Sequence, residues 1–263
     1  MERAAWTAGD APLVGVVDPA RSADEPAHGE AGLANVESVV ADRGGESVVG
    51  GVPEVLAADP TAIVAVGESA LSALADADPD APVLPVDAGA GLGSVPPERA
   101  ATAVDAALAG EAVERRRPVL GVEASDGRDA GGRALFDVSL FTDEPARISE
   151  YAVYSRGERV AQFRADGVVV ATPAGTHGYA GAANAPQVAP TVEAVAVVPV
   201  APFVTRTRRW VLPDDDLALS VERDEGDVAL AADGRVLETL APKTRVSIAA
   251  SGSLSTLALL DRE

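Results

Sequence analysis

ADGVVVATPAGTHGYAGAANAP, residues 165–186, is the stretch that says most about the fold of this chain. Its apolar run at residues 168–171 indicates a buried strand, which Pro173 ends. Small residues follow, and Gly175 allows a tight turn before a helix predicted to open over residues 176–181. Because N–H groups at a helix start point outward and small side chains let a ligand approach, this corner is a candidate phosphate site. The alternative is a corner whose small residues serve packing alone, since glycine-rich patterns are common.

Three larger polar side chains accompany this corner. Tyr179 offers a flat face and a hydroxyl suited to a base or a ribose. His177 has ring nitrogens able to bond to a phosphate or a ribose, and Arg164 is able to bind a phosphate or a carboxylate. The ordinary alternatives are a histidine at the surface or capping a turn, and a solvated arginine at the end of a strand.

Upstream of residue 110, short apolar runs alternate with alanine-rich helical stretches. Alternation at this spacing indicates parallel βαβ units, so residues 1–112 are predicted to form an α/β domain with a parallel, Rossmann-like sheet. Strands are predicted over residues 12–18, 46–51, 61–67 and 81–89, and helices over residues 32–44, 53–59, 68–77 and 96–110.

Downstream, the helical periods fade, and apolar runs separated by turn residues at hairpin distances indicate strands, one of them over residues 133–142. Residues 113–250 are therefore predicted to form a mostly β domain that binds a dinucleotide. Trp6 is the only aromatic residue before Phe136, so the larger core side chains belong to this second domain. Residues 251–263 form a C-terminal segment that could return to the first domain.

Composition narrows the partners and the chemistry. The chain of 263 residues has 41 acidic and 21 basic side chains and a net charge of −20, a field that repels nucleic acid and anionic lipid. Such a surface is typical of proteins in concentrated salt, where a Debye length of about 3 Å screens self-repulsion, so we expect a halophilic, cytoplasmic protein outside membranes. With no cysteine and only His28 and His177 as imidazoles, no thiolate chemistry and no histidine-based metal site is expected.

The corner resembles the signature of the NAD kinase family, which runs as DG, an apolar strand, TP-T-G and a tyrosine. The residues that match in order and spacing are Asp166-Gly167, Thr172-Pro173, Gly175-Thr176, Tyr179 and Pro186. Further likeness lies in VPVAPF at residues 198–203, VLP at 211–213, ALAADGRV at 229–236 and ALFDV at 134–138.

The resemblance implies an α/β first domain, a mostly β second domain and transfer of a phosphoryl group to the 2′-hydroxyl of NAD, which gives NADP. It also implies ATP or polyphosphate as the phosphate donor, Mg²⁺ with the donor, and a homodimer or homotetramer. The family's GGDG motif, whose Asp is the base, corresponds to AVGES at residues 65–69. Glu68 stands at the Asp position and Ser69 at that of the Gly that follows the Asp. The alternative for Glu68 is an acidic residue in the first turn of a helix, where the dipole favours it.

The substrate contacts implied by the resemblance follow from the same alignment of motifs. ALFDV places Asp137 at the carboxylate of the family's Asn-Glu/Asp pair, and PVDAGAGLGSV at residues 85–95 resembles a second glycine-rich segment, with a plain connector as its alternative. The predicted substrate-binding residues are Ser69, Asp137, Arg164, Asp166, Thr172, Gly175, His177, Gly178, Tyr179, Ala180 and Arg235.

Two functions stay open from the sequence. One is an NAD kinase in which Glu68 is the base. The other is a homologue with a weakened first-domain motif that binds NAD, NADP or another nucleotide as a sensor or a partner subunit. A related kinase that acts on a different hydroxyl is a third interpretation.

Overall fold

The structure is a computed structural model that describes residues 5–19, 30–125, 131–142, 147–204, 207–223 and 226–260. The chain divides into two compact units. Unit 1 comprises Met1–Arg117 with Ser253–Glu263, and unit 2 comprises Pro118–Gly252. His28 lies outside the described residues.

Unit 1 alternates strands and helices. Its strands are β1 (Leu13–Val17), β2 (Glu46–Gly50), β3 (Ala62–Val66) and β4 (Val83–Val86). Its helices are α1 (Glu30–Asp42), α2 (Val52–Ala57), α3 (Gly67–Ala77) and α4 (Ala100–Leu108). The four strands pair in parallel in the order β2-β1-β3-β4.

The middle strands of unit 1 are apolar along their whole length because both faces of the sheet are covered. Val64 of β3 and Leu84 of β4 are buried in one core with Ala103 and Val104 of α4. Strands covered on both faces need no alternation of polar and apolar residues, which explains their unbroken apolar runs. The predicted α/β fold of the first part is confirmed.

Unit 2 is built from antiparallel strands. They are β5 (Ala112–Ala124), which starts in unit 1, β6 (Gly132–Ala134), β7 (Asp137–Thr142), β8 (Ser149–Ser155), β9 (Glu158–Ala165), β10 (Gly167–Ala171), β11 (Ala194–Val200), β12 (Trp210–Pro213), β13 (Leu217–Arg223), β14 (Val228–Ala232), β15 (Arg235–Leu240) and β16 (Arg245–Leu259). Six of them form a sheet in the order β12-β11-β10-β7-β14-β15. In a second group, β13 lies between β16 and β8, β9 pairs with β8, and β5 pairs with β6.

One core joins the two strand groups of unit 2. Leu140 and Val168 from the six-stranded sheet are buried together with Tyr151 and Leu219 from the other group. Phe163 and Trp210 pack against this core, with their rings stacked at a centroid distance of 5.9 Å. The mostly β fold predicted for the second part is confirmed, and its aromatic residues help to fill this core.

The strand β16 serves both units in turn. Its first half pairs with β13, where Val246 lies opposite Leu219. Farther along, Thr256 pairs in parallel with Val83 of β4, and Leu257 is buried in the core of unit 1. The C-terminal residues therefore complete the sheet of unit 1.

The structure corrects two local predictions. The strand expected over residues 133–142 is interrupted at Leu135 and Phe136, because a side chain from a distant turn binds the backbone there. The helix expected over residues 176–181 is a 3₁₀ turn, Gly175–His177, followed by the four-residue helix α5 (Tyr179–Ala182). Among the helices of the described residues, none has the length and apolar character that crossing a membrane requires.

Candidate functional site

The corner after β10 is closed by its own hydrogen bonds. The Thr172 hydroxyl donates to the Leu135 carbonyl at 2.6 Å, and the Thr172 N–H donates to the Phe136 carbonyl at 2.9 Å. The N–H of Gly175 donates to the Thr172 carbonyl at 3.0 Å, which turns the chain back on itself. The corner is thereby tied to the segment that precedes Asp137.

Glycine is required at residue 175 by close packing. A Cβ atom there would collide with the carbonyl oxygen of Phe136, a backbone atom that has no freedom to move aside. Thr172, Gly175 and Ala180 are all buried, so they shape the corner from inside and present no side-chain surface. Their predicted contacts with a ligand stay predictions.

The exposed end of the corner consists of His177, Gly178 and Tyr179. Tyr179 keeps 49% of its surface exposed although it is aromatic. The helix that begins at Tyr179 has only four residues, so its dipole is small and any attraction for a phosphate rests on local N–H groups. The corner thus offers an aromatic face and a hydroxyl more than it offers a helix terminus.

Three predicted site residues that are far apart in the sequence act on one another electrostatically. Partial burial raises the pKa of the Tyr179 hydroxyl, and the negative charges of Asp137 and then Asp166 raise it further. Asp137 is 8% exposed, at the start of β7. The negative charges of two predicted site residues therefore act in the same direction on one tyrosine hydroxyl.

The backbone of Asp166 is fixed by the strands around it. Its carbonyl accepts hydrogen bonds from the Thr142 N–H at 2.8 Å and from the Tyr151 hydroxyl at 3.3 Å. Its N–H donates to the Val200 carbonyl at 3.1 Å. Burial raises the pKa of Tyr151, whose ring is enclosed by the core. Asp166 itself is exposed, so a rigid backbone presents its side chain to solvent.

The two predicted arginines lie at different places in unit 2. Arg164 is exposed at the end of β9, and its guanidinium lies over the Phe203 ring at 5.8 Å from the centroid. Arg235 is exposed at the first position of β15. Both keep the character of surface cations, and their predicted ligand contacts stay predictions.

Asp233 is a residue that the sequence interpretation missed. Its carboxylate accepts hydrogen bonds from the backbone N–H groups of Leu135 at 2.9 Å, Phe136 at 2.8 Å and Asp137 at 3.0 Å. The Asp-Gly pair in ALAADGRV signals a hairpin turn, but nothing local indicates a partner 96 residues upstream.

Glu68 and Ser69 are exposed in the first turn of α3 in unit 1. Gly67, just before them, has φ +80°, a conformation that favours glycine. A Cβ atom added to Gly89 would lie 3.2 Å from Oε1 of Glu68. The structure therefore brings Glu68 next to the glycine-rich segment 85–95. This segment also resembles a motif of the NAD kinase family.

The segment that faces Glu68 is a closed loop. The N–H of Asp87 donates to the Val95 carbonyl at 2.9 Å, and the N–H of Ala88 donates to the Ser94 hydroxyl at 3.0 Å. Arg117, which is 4% exposed, donates to the Leu92 carbonyl at 2.9 Å. This second residue missed by the sequence interpretation anchors the loop from within unit 1.

Nowhere in the part of the chain that the structure describes do three or more His, Asp or Glu side chains converge as they would around a metal.

Comparison with known families identifies a likeness over the second part of the chain. The family model of the ATP-NAD kinase C-terminal domain matches residues 136–258, a range that contains Asp137, Asp166, Tyr179 and Asp233. This part of the chain is therefore similar to the C-terminal domain of ATP-NAD kinases. The matched residues begin at the segment that Asp233 binds and end in β16.

Curated relatives are similar to this chain over part of their length. The NAD kinase of Methanosarcina barkeri is 37% identical over 103 residues, which cover 39% of this chain and 38% of that protein. The NAD kinase of Methanothermobacter thermautotrophicus is 32% identical over 166 residues, which cover 62% and 58%. The matched part of the chain thus spans between about two fifths and three fifths of the length of these relatives.

Solved structures share the fold of this chain. Yeast NADH kinase complexed with NADH superposes with a TM-score of 0.76 at 17% identity, over 96% of this chain and 84% of that one. An NAD kinase from Archaeoglobus fulgidus in complex with ATP gives 0.70 at 22% identity, over 93% and 92%.

Proposed function

We propose that this chain is an NAD kinase, which transfers a phosphoryl group from ATP or polyphosphate to the 2′-hydroxyl of NAD and so produces NADP. The observation that carries the proposal is the match of residues 136–258 to the ATP-NAD kinase C-terminal domain. Asp137 and Asp166, whose negative charges raise the pKa of the Tyr179 hydroxyl, lie with Tyr179 in this matched range.

Unit 2 is proposed to hold NAD. Carboxylates accept hydrogen bonds only, so Asp137 and Asp166 suit the hydroxyl donors of a ribose or the amide of the nicotinamide. The exposed ring of Tyr179 suits the flat face of a base. Because Asp137 and Asp166 rest on fixed backbone, little conformational entropy is lost when the ligand binds.

Unit 1 is proposed to supply the base. Glu68 takes the proton of the 2′-hydroxyl as the hydroxyl oxygen forms a bond to the terminal phosphorus of the donor. The bond from that phosphorus to the bridging oxygen breaks, so that ADP departs from ATP, or a polyphosphate shorter by one phosphate departs from polyphosphate. Glu68 is exposed and lies against Gly89, which leaves its carboxylate room for a substrate. Phosphoryl transfer depends chiefly on positioning and charge neutralisation, so the fit of Glu68 matters more than its basicity.

Mg²⁺ is proposed to arrive as a ligand of the donor phosphates, where it neutralises phosphate charge. The described residues lack a three-ligand group for it, so no step is assigned to a protein-held ion.

The test is formation of NADP from NAD, Mg²⁺ and either ATP or polyphosphate by the purified chain in concentrated KCl. We expect wild-type turnover with at least one donor, and a loss of about 100-fold or more in Glu68→Gln. Glu98→Gln is the matched control, because Glu98 is also an exposed acid in the first turn of a helical segment. Equal activity of both variants would contradict the role of Glu68.

A second candidate is a nucleotide-binding homologue without turnover. It is favoured by Val66 and Ser69, which stand where the family's motif has glycines that admit phosphates. No NADP from either donor, together with a rise in Tm on addition of NAD or NADP, would identify this binder. A phosphorylated product other than NADP would instead identify a kinase for a different hydroxyl.

Two further properties are proposed beside the activity. Self-association as a dimer or tetramer follows from the family resemblance, and sedimentation velocity would measure it. A cytoplasmic location follows from the acidic, cysteine-free composition, and fractionation of cells that express the chain would test it.

A further inference from the structure

Asp233 lies in a two-residue turn, and its carboxylate binds the backbone of residues 135–137. The turn joins β14 to β15, and Asp233 and Gly234 have φ of +48° and +75°. Two positive φ angles are the mark of a tight hairpin turn, in which aspartate before glycine is favoured. The N–H of Asp233 also donates to the Asp137 carbonyl at 2.9 Å. Backbone and side chain of one residue therefore both bind the Asp137 segment.

The three N–H groups that the carboxylate binds belong to consecutive residues. Oδ1 accepts from Phe136 at 2.8 Å and Asp137 at 3.0 Å, and Oδ2 accepts from Leu135 at 2.9 Å. Hydrogen bonds to an ionised acceptor are about twice as strong as those between neutral groups. These three hydrogen bonds explain why β6 ends before Leu135 and β7 begins only at Asp137.

The same short segment is bound from its other side by the corner. Thr172 bonds to the carbonyls of Leu135 and Phe136, so N–H groups face Asp233 and carbonyls face Thr172. Residues 135–137 are thus fixed between the Asp-Gly turn and the corner that carries Tyr179. Loss of either partner frees the residue whose charge acts on Tyr179.

We propose that Asp233 is a positioning residue for nucleotide binding, which fixes Asp137 with respect to Tyr179 through the backbone of residues 135–137. Its effect on affinity rests on the proposed NAD-binding function, whereas its effect on the geometry does not.

The test uses full-length chain with ¹³C-labelled tyrosine ring carbons, followed by NMR as pH rises. The three tyrosines are Tyr151, Tyr154 and Tyr179, and Tyr179→Phe identifies the signal. Asp137→Asn sets the reference for loss of the charge that raises the Tyr179 pKa. Asp233→Asn keeps the shape and the turn, but its amide presents an NH₂ donor to backbone donors.

We expect Asp233→Asn to move the Tyr179 pKa towards its ordinary value, in the direction of Asp137→Asn, and to weaken NAD binding about tenfold or more by calorimetry. The matched control is Arg156→Asn, in the other two-residue hairpin turn of unit 2, where Arg156 has φ +50°. It should leave both readings unchanged.

A Tyr179 pKa that is unchanged in folded Asp233→Asn would overturn the positioning role, whatever happens to NAD. If wild-type protein does not bind NAD, the proposed function fails, and the Tyr179 signal still decides the positioning role. Should Asp233→Asn not fold, Asp233→Ser keeps one acceptor oxygen and provides the same reading.

Discussion

The hydroxyl of Thr172 donates a hydrogen bond of 2.6 Å to the carbonyl oxygen of Leu135, 37 residues earlier in the chain. Both residues are fully buried, so no water replaces this bond when it is lost. A single hydroxyl therefore connects the TP corner to the segment that carries Asp137.

Thr172→Val removes that hydroxyl while it preserves shape, and we expect it to lower the free energy of unfolding by about 1–3 kcal/mol, because a buried acceptor loses its donor. Urea unfolding measures the change. The control is Thr207→Val, whose hydroxyl bonds to the Val204 carbonyl at an exposed site, where water substitutes and a change within about 0.5 kcal/mol is expected. Equal effects of the two substitutions would show that the Thr172 hydroxyl does not stabilise the corner.

Gly175→Ala is expected to displace the corner, because its Cβ would collide with a backbone carbonyl of Phe136. We expect a loss of about 2–4 kcal/mol in urea unfolding, together with loss of the NAD-induced rise in Tm. Gly51→Ala is the control, since Gly51 has φ −70° and ψ 165°, which alanine adopts without strain, and the nearest atom to an added Cβ would lie 3.8 Å away. If Gly175→Ala had the unfolding free energy and the NAD-induced rise in Tm of the wild type, the corner would accommodate the added Cβ without displacement.

Tyr151 predicts how stability responds to alkali. Burial raises its pKa in the folded state above the usual 10, so the unfolded chain releases this proton first as pH rises. The contribution is complete below pH of about 10, and it is lost as pH rises through the folded-state pKa. Urea unfolding between neutral and alkaline pH should give a falling free energy, and Tyr151→Phe should give a flatter slope. An identical slope in both proteins would contradict this assignment.

Gly89→Ala tests whether the 85–95 loop must leave room for Glu68. Gly89 and Gly93 have φ of +72° and +66°, so alanine costs about 1 kcal/mol in unfolding free energy at either site. Only at Gly89 would the new Cβ approach Glu68, at 3.2 Å from its Oε1, whereas at Gly93 it meets nothing within 4 Å. We expect NADP formation to fall about tenfold or more in Gly89→Ala and to stay near wild type in Gly93→Ala. Equal losses of NADP formation in Gly89→Ala and Gly93→Ala would show that the effect comes from backbone strain and not from contact with Glu68.

The net charge of −20 predicts that salt stabilises the folded chain. Raising KCl from about 0.1 M to about 1 M shortens the Debye length from about 10 Å to about 3 Å, which screens repulsion between surface carboxylates. Thermal unfolding should show Tm rising over this range. A flat or falling Tm would argue against the halophilic interpretation.

The alternation of apolar runs and alanine-rich helices predicted the α/β part because β1 pairs with β2, and β3 pairs with β4, its next strand along the chain. The break at Leu135 and Phe136 was not predicted, since the Asp233 carboxylate that causes it lies almost 100 residues away. Tyr179 and its two carboxylates were found through motif resemblance. Asp233 and Arg117 were missed because their roles depend on backbone carbonyls and N–H groups, which leave no pattern of side chains in sequence.

Because β16 pairs with strands of both units, it affects the order in which the two units fold during translation. Every strand that pairs within unit 2 has been synthesised once the first half of β16 emerges, whereas β4 gains Thr256, and the core of unit 1 gains Leu257, only some ten residues later. Unit 1 is therefore synthesised first, but its sheet is completed last. Nascent unit 1 exposes the flank of β4 throughout synthesis of unit 2, which makes that flank the place where chaperones or misplaced strands would act during translation.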